Sequence, residues 1–147
     1  MNNEEALLIS QRRDDIYEWV VSRFKFLMAE ERVDDALCFA DEYFEIKKQA
    51  IEINKWGKNI YVKVPIVNSK GKFMGKVIRD LNKKNIKLNI TAVYTAKQTK
   101  KILKKINKKS KVIISIFAGR SADTGKDPVP ELKKSILLAK NYKNVEI

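Results

Sequence analysis

The 147-residue chain contains no histidine. That excludes Ser-His and Cys-His nucleophile activation and any imidazole-ligated metal, so a general base must be a carboxylate, a lysine, a tyrosine or a bound water. The single cysteine, Cys38, cannot close an internal disulfide, and a reducing cytoplasm is the expected setting. One cysteine without histidine also makes a structural zinc site an unexpected feature, and no metal is assigned. No apolar run reaches the ~20 residues that span a bilayer. The acidic start Met1-Asn2-Asn3-Glu4-Glu5 lacks a signal-peptide pattern, so no membrane association is expected. Gly-x-Gly-x-x-Gly and Walker-type loops are missing, which leaves a nucleotide-binding doubly wound fold without local support.

What is there is a globular balance, with 44% hydrophobic and 33% charged residues and enough length for one domain with a core. The net charge of +13 raises a nucleic-acid reading, but the charge is unevenly spread. Up to Glu45 there are 5 basic and 12 acidic residues, and beyond it 26 and 6. The lysines of Lys97–Lys105 flank Ile102, Leu103 and Ile106 at helical spacing without interleaved aromatics, as in a solvated outer face. No nucleic-acid partner is therefore expected.

Residues 13–33 carry Ile16, Val20, Phe24 and Leu27 at near-helical spacing, and a shorter helix is expected around Glu4–Ile9. Residues 1–36 are thus read as a helical N-terminal segment and 37–147 as the main domain. There the pattern alternates. The expected strands are Leu37–Ala40, the run Asn59–Val67, Lys87–Tyr94, Lys111–Ala118 and a last one from Val145. The expected helices are Asp41–Asn54, Phe73–Lys84, Ala96–Asn107 and Glu131–Tyr142, with Gly119–Pro130 as a long loop. Strand–helix alternation with short connections implies parallel strands with helices packed on the sheet.

Each principal strand has one aliphatic face. Val62, Val64 and Ile66 oppose Tyr61, Lys63 and Pro65. Ile90 and Ala92 oppose Asn89, Thr91 and Val93. Ile114, Ile116 and Ala118 oppose Ser115, Phe117 and Gly119. A sheet covered on both sides would be apolar on both faces, whereas the inner face of a barrel can carry reactive polar groups near its C-terminal strand ends. Lys63 is the most informative of these. A lysine in such a run loses hydration, reaches past the strand to water, or is used for chemistry. Burial favours the neutral form of an amine, and a neutral amine is a nucleophile. Arg120, just beyond the third of these strands, is suited to clamping a phosphate or carboxylate, or to pairing with Asp123 or Asp127.

Three segments together resemble the transaldolase family, including its small fructose-6-phosphate aldolase-like branch. They are Trp56-Gly57-Lys58-Asn59-Ile60-Tyr61-Val62-Lys63-Val64-Pro65, Asn89-Ile90-Thr91-Ala92-Val93-Tyr94, and Ser115-Ile116-Phe117-Ala118-Gly119-Arg120-Ser121-Ala122-Asp123-Thr124-Gly125. The resemblance runs from about Cys38 to the C-terminus. It implies an α/β fold built as an incomplete (β/α)8 barrel and a class I aldol transfer of a dihydroxyacetone unit between sugar phosphates. Such activity belongs to carbohydrate metabolism, in the pentose phosphate pathway. By resemblance Lys63 is the Schiff-base lysine and Thr91 the catalytic threonine that orients water or substrate hydroxyls. Asn89, Ser115 and Phe117 line the substrate pocket, and Arg120 binds phosphate. No metal or organic cofactor is implied.

The sequence also departs from that family. The proton-shuttling aspartate of the first family strand and the asparagine of the second have no counterpart in residues 1–36. Leu37 falls where the third strand commonly has glutamate or glutamine. The last two strands, with a phosphate-binding serine, are missing. Two chains, or a separate partner, are expected to complete such a sheet. The alternative to catalysis is a non-catalytic barrel remnant acting as an interaction module.

Overall fold

The computed structural model describes residues 36–37 and 43–147. Five strands form one sheet in the order β1-β2-β3-β4-β5: β1 (Ala36–Leu37), β2 (Val62–Pro65), β3 (Leu88–Val93), β4 (Val112–Ile116) and β5 (Val145–Glu146). All neighbours are parallel. The helices between them are α1 (Tyr43–Asn54), α2 (Gly75–Lys83), α3 (Ala96–Leu103), α4 (Ala118–Asp123) and α5 (Val129–Ala139).

Strand order follows chain order without reversal. Right-handed crossovers then put every described helix on the same side of the sheet, whereas a doubly wound sheet must reverse direction to cover both sides. Burial agrees with a single covered face. Val62, Val64, Leu88, Ile90, Val112 and Ile114 are all at most 1% exposed, while on the other face Lys63, Pro65, Ile113 and Ser115 are only half-buried and just Asn89 and Thr91, in the central strand, are buried. The architecture is α/β and is that of part of a (β/α)8 barrel.

The helices form where apolar spacing and end signals coincide. In α2, Val77, Ile78 and Leu81 are buried and Lys76 and Lys83 are exposed. The helix stops at Asn85, whose φ of 59° is the left-handed geometry that ends helices. Thr95 starts α3 with a capping box: its hydroxyl accepts from the Gln98 N–H at 3.2 Å, and the Gln98 carboxamide accepts from the Thr95 N–H at 3.1 Å. Lys97, Lys100, Lys101, Lys104 and Lys105 are exposed around the buried Ile102 and Leu103, the solvated face expected of them.

Polar side chains stitch the N-terminal ends of the strands, away from the site. The Ser110 hydroxyl donates to the Ile86 carbonyl at 2.8 Å, and Asn144 Nδ2 donates to the carbonyls of Ser110 and Asn107 at 2.6 and 3.0 Å. These bonds join the residues leading into β3, β4 and β5, so this end serves stability and leaves the opposite end for chemistry.

Several sequence expectations need correction. Residues 119–130 are not all loop, because Ala118–Asp123 forms α4 directly after β4. Ala118 and Gly119 therefore belong to a helix and not to the faces of the strand. The helix expected to run to Asn107 ends at Leu103, and the one expected from Glu131 begins at Val129, where Pro130 in the first turn sacrifices no helical hydrogen bond. Val93 is not on the face of Asn89 and Thr91, because the register slips between Ile90 and Val93. The expected helices at Glu4–Ile9 and 13–33, the Asp41 cap and residues 38–40 of the first strand lie outside the described residues.

Candidate functional site

The face opposite the helices holds the polar residues singled out in the sequence. Lys63 is in register with Asn89, and Pro65 with Thr91, so Lys63, Asn89 and Thr91 share that face on adjacent strands. Ser115 joins them through its side chain, its hydroxyl donating to Asn89 Oδ1 at 2.7 Å. Asn89 and Thr91 are 4% and 5% exposed, whereas Lys63 and Ser115 are half-buried. Among the described residues the Lys63 ammonium forms no ion pair. Thr91 Oγ1 is buried without a hydrogen-bond partner among the described residues. On the opposite flank Leu37 of β1 is in register with Lys63.

The third strand is interrupted just past Thr91. Ala92 has a φ of 58°, in the left-handed region that alanine rarely occupies. The ladder records the consequence. The Thr91 carbonyl accepts from Ile66 N–H of the β2 side at 3.0 Å, while the Val93 carbonyl accepts from Phe117 N–H of the β4 side at 2.8 Å. In a regular strand residues two apart point to the same neighbour, so Ala92 is the extra residue of a β-bulge. Val93 turns under the helices and is fully buried.

Phe117 closes β4 and caps α4, with its ring edge-on to Tyr94 at 5.8 Å between centroids. Tyr94 in turn lines a cavity of about 470 Å³ with Thr95, Arg120, Ser121 and Lys126. The cavity sits at the C-terminal end of the sheet, where β/α proteins place their ligands. Arg120 is exposed and, among the described residues, forms no ion pair with Asp123 or Asp127, so structural pairing does not explain it. The sequence-derived residues therefore form two groups. Lys63, Asn89, Thr91 and Ser115 make the strand cluster, and Arg120 lines the cavity but is not part of that cluster. The Phe117–Tyr94 contact lies between the two.

Sequence reasoning missed Tyr94, Thr95 and Lys126 as cavity residues and Ala92 as a bulge. The Thr95-x-x-Gln98 pattern was a usable signal for the start of α3, and hence for what stands at the cavity rim. Among the described residues no three His, Cys, Asp or Glu side chains are grouped to hold a metal ion, and no helix is long and apolar enough to cross a membrane.

A sequential parallel sheet, with helices on one face and lysine, asparagine, threonine and serine on the other, defines a protein of the β/α-barrel class. Residues 35–146 match the family model for transaldolase/fructose-6-phosphate aldolase, and the chain belongs to that family. No curated protein matches it.

Proposed function

We propose that this chain carries out class I aldol chemistry on sugar phosphates with Lys63 as the nucleophile, in the carbohydrate metabolism of the cytoplasm and specifically the pentose phosphate pathway. The observation that carries the proposal is the in-register pair Lys63–Asn89 on the face opposite the described helices, inside the segment that matches an aldolase and transaldolase family. In this reading the Lys63 amine attacks the ketose carbonyl carbon and water leaves, giving an iminium. Removal of the C4 hydroxyl proton breaks the C3–C4 bond, and the bond's electron pair flows into the iminium to give an enamine. An aldose phosphate departs and an acceptor aldehyde takes its place. Asn89 and Ser115 hold substrate hydroxyls, Phe117 packs against the carbon chain, Thr91 orients the water or hydroxyl that exchanges protons, and Arg120 binds the phosphate.

Incubation with fructose 6-phosphate followed by borohydride reduction tests the proposal. The expected result is a covalent mass shift mapping to Lys63 and absent from Lys63→Ala. No shift in the wild type, or an equal shift in the variant, would overturn it.

One observation favours a second reading. Leu37, an apolar residue, stands in register with Lys63 where the family resemblance leads one to expect a carboxylate or carboxamide. A barrel module that binds its ligand without turnover would tolerate that change. Such a module would show saturable sugar-phosphate binding but no trapped adduct. Association with a second copy or a partner chain belongs to either reading, and sedimentation of the purified chain tests it.

A further inference from the structure

Ala92 is the most strained position near the candidate site. Only two non-glycine residues among those described have a positive φ, and the other, Asn85, ends a helix, where asparagine is well suited. Ala92 has no such excuse of residue type. Strain of this kind persists where the surrounding structure imposes it, and it concentrates at functional sites.

The ladder shows what the strain accomplishes. Without the extra residue, Val93 would follow Thr91 two positions along, on the face that carries Lys63, as its next neighbour there. With the bulge, Val93 is turned under the helices and is 0% exposed. Tyr94, just past the strand, is exposed and sets its ring edge-on against Phe117. The hydroxyl of Thr91, buried and without a hydrogen-bond partner among the described residues, is left with its donor and acceptor capacity uncommitted there.

We propose that Ala92 is a positioning residue whose left-handed backbone keeps Val93 away from Thr91 and directs Tyr94 to the Phe117 side of the site. This rests on the Schiff-base reading above. Ala92 touches no reacting atom and acts through Thr91.

The test compares Ala92→Gly, which accepts the left-handed geometry, with Ala92→Val, whose β-branch resists it. Two readouts are taken on the full chain: borohydride-trapped adduct at Lys63, and release of glyceraldehyde 3-phosphate from fructose 6-phosphate per trapped site. Ala92→Gly is expected to match wild type in both. Ala92→Val is expected to trap the adduct but to release product about tenfold more slowly or worse. In a Thr91→Val background the same substitution should cost less than about a further twofold, because residues that act as a unit are non-additive. If the valine variant is insoluble, Ala92→Leu, unbranched at Cβ, gives the milder comparison. Unchanged release per site in these variants, or a full multiplicative loss in the Thr91→Val background, overturns the positioning role alone. A wild-type chain that traps no adduct overturns the Schiff-base reading and the positioning role with it.

Discussion

The Ser115 hydroxyl donates to Asn89 Oδ1 at 2.7 Å, bridging β4 and β3 on the face that carries Lys63. Asn89 is almost wholly buried, so its carboxamide orientation depends on such partners. Ser115→Ala withdraws a donor from a buried oxygen and is expected to destabilise the fold by about 1–2 kcal/mol. Urea unfolding measures this. Ser115→Thr keeps the hydroxyl and should recover most of the loss, whereas equal losses in both variants would mean that packing, and not the hydrogen bond, is what matters.

Thr99 of α3 and Ser135 of α5 are both fully buried, with their hydroxyl oxygens 2.9 Å apart. Thr99→Val strands the Ser135 hydroxyl in an apolar contact and is expected to cost about 1–3 kcal/mol. The double variant Thr99→Val/Ser135→Ala removes both polar groups and should be more stable than Thr99→Val alone. Chemical unfolding of the wild type, both single variants and the double variant gives the coupling, and a double variant as unstable as the sum of the singles would refute the pairing.

Asp80 links α2 to α1: its carboxylate accepts from Tyr43 Oη at 2.5 Å and from Arg79 Nε at 2.9 Å. The Tyr43 hydroxyl foremost, then the Arg79 guanidinium, holds its pKa below the usual carboxylate value, against a smaller opposing effect of burial. A folded-state pKa below the unfolded one gives stability that is present above about pH 4 and lost as pH falls through the folded value. Tyr43→Phe removes the leading cause and should shrink the acid-dependent part of the stability. Asp80→Asn should remove this residue's share altogether. Urea midpoints near neutral pH and near about pH 3 provide the comparison, and an Asp80→Asn chain with undiminished acid sensitivity would contradict it.

Gly75 opens α2 under the ring of Phe73. A Cβ at this position would meet Phe73 Cδ1 at 2.9 Å, and Cε1 closer still. Alanine is the better helix former by about 1 kcal/mol, yet Gly75→Ala is expected to destabilise by about 1–3 kcal/mol because the ring must move. Pairing it with Phe73→Leu should relieve part of the cost in thermal unfolding. A Gly75→Ala chain more stable than wild type would show that the ring yields freely.

Much of this fold is legible in the chain because the period-2 alternation at Val62–Ile66 and Val112–Ile116 reports a sheet with one covered face. The same rule fails at Ala92. Alanine carries no mark of left-handed backbone, so alternation is carried one residue too far and Val93 is put on the wrong face. It fails again at Ala118–Asp123, where Gly119 and a polar run read as loop although a short helix follows the strand directly. Within the site, Lys63, Asn89 and Thr91 could be grouped from sequence because strand register does the grouping. The cavity around Arg120 could not, because it is assembled from Tyr94–Thr95, from α4 and the turn after it, and from Glu131 of α5, whose approach depends on how the two helices fold back.

Arg120 provides the sharpest separation of binding from chemistry. It is exposed, lines the cavity with Lys126, and has no ion-pair partner among the described residues, so its substitution should leave the fold intact. A charge-assisted contact to phosphate predicts that Arg120→Ala raises KM for fructose 6-phosphate by about 10- to 100-fold. Arg120→Lys should recover only part of this, since an ammonium keeps the charge but not the planar bidentate fork. Trapping with dihydroxyacetone, which carries no phosphate, should proceed equally in wild type and both variants. A comparable loss with dihydroxyacetone would assign Arg120 to the architecture of the Lys63 site and not to phosphate recognition.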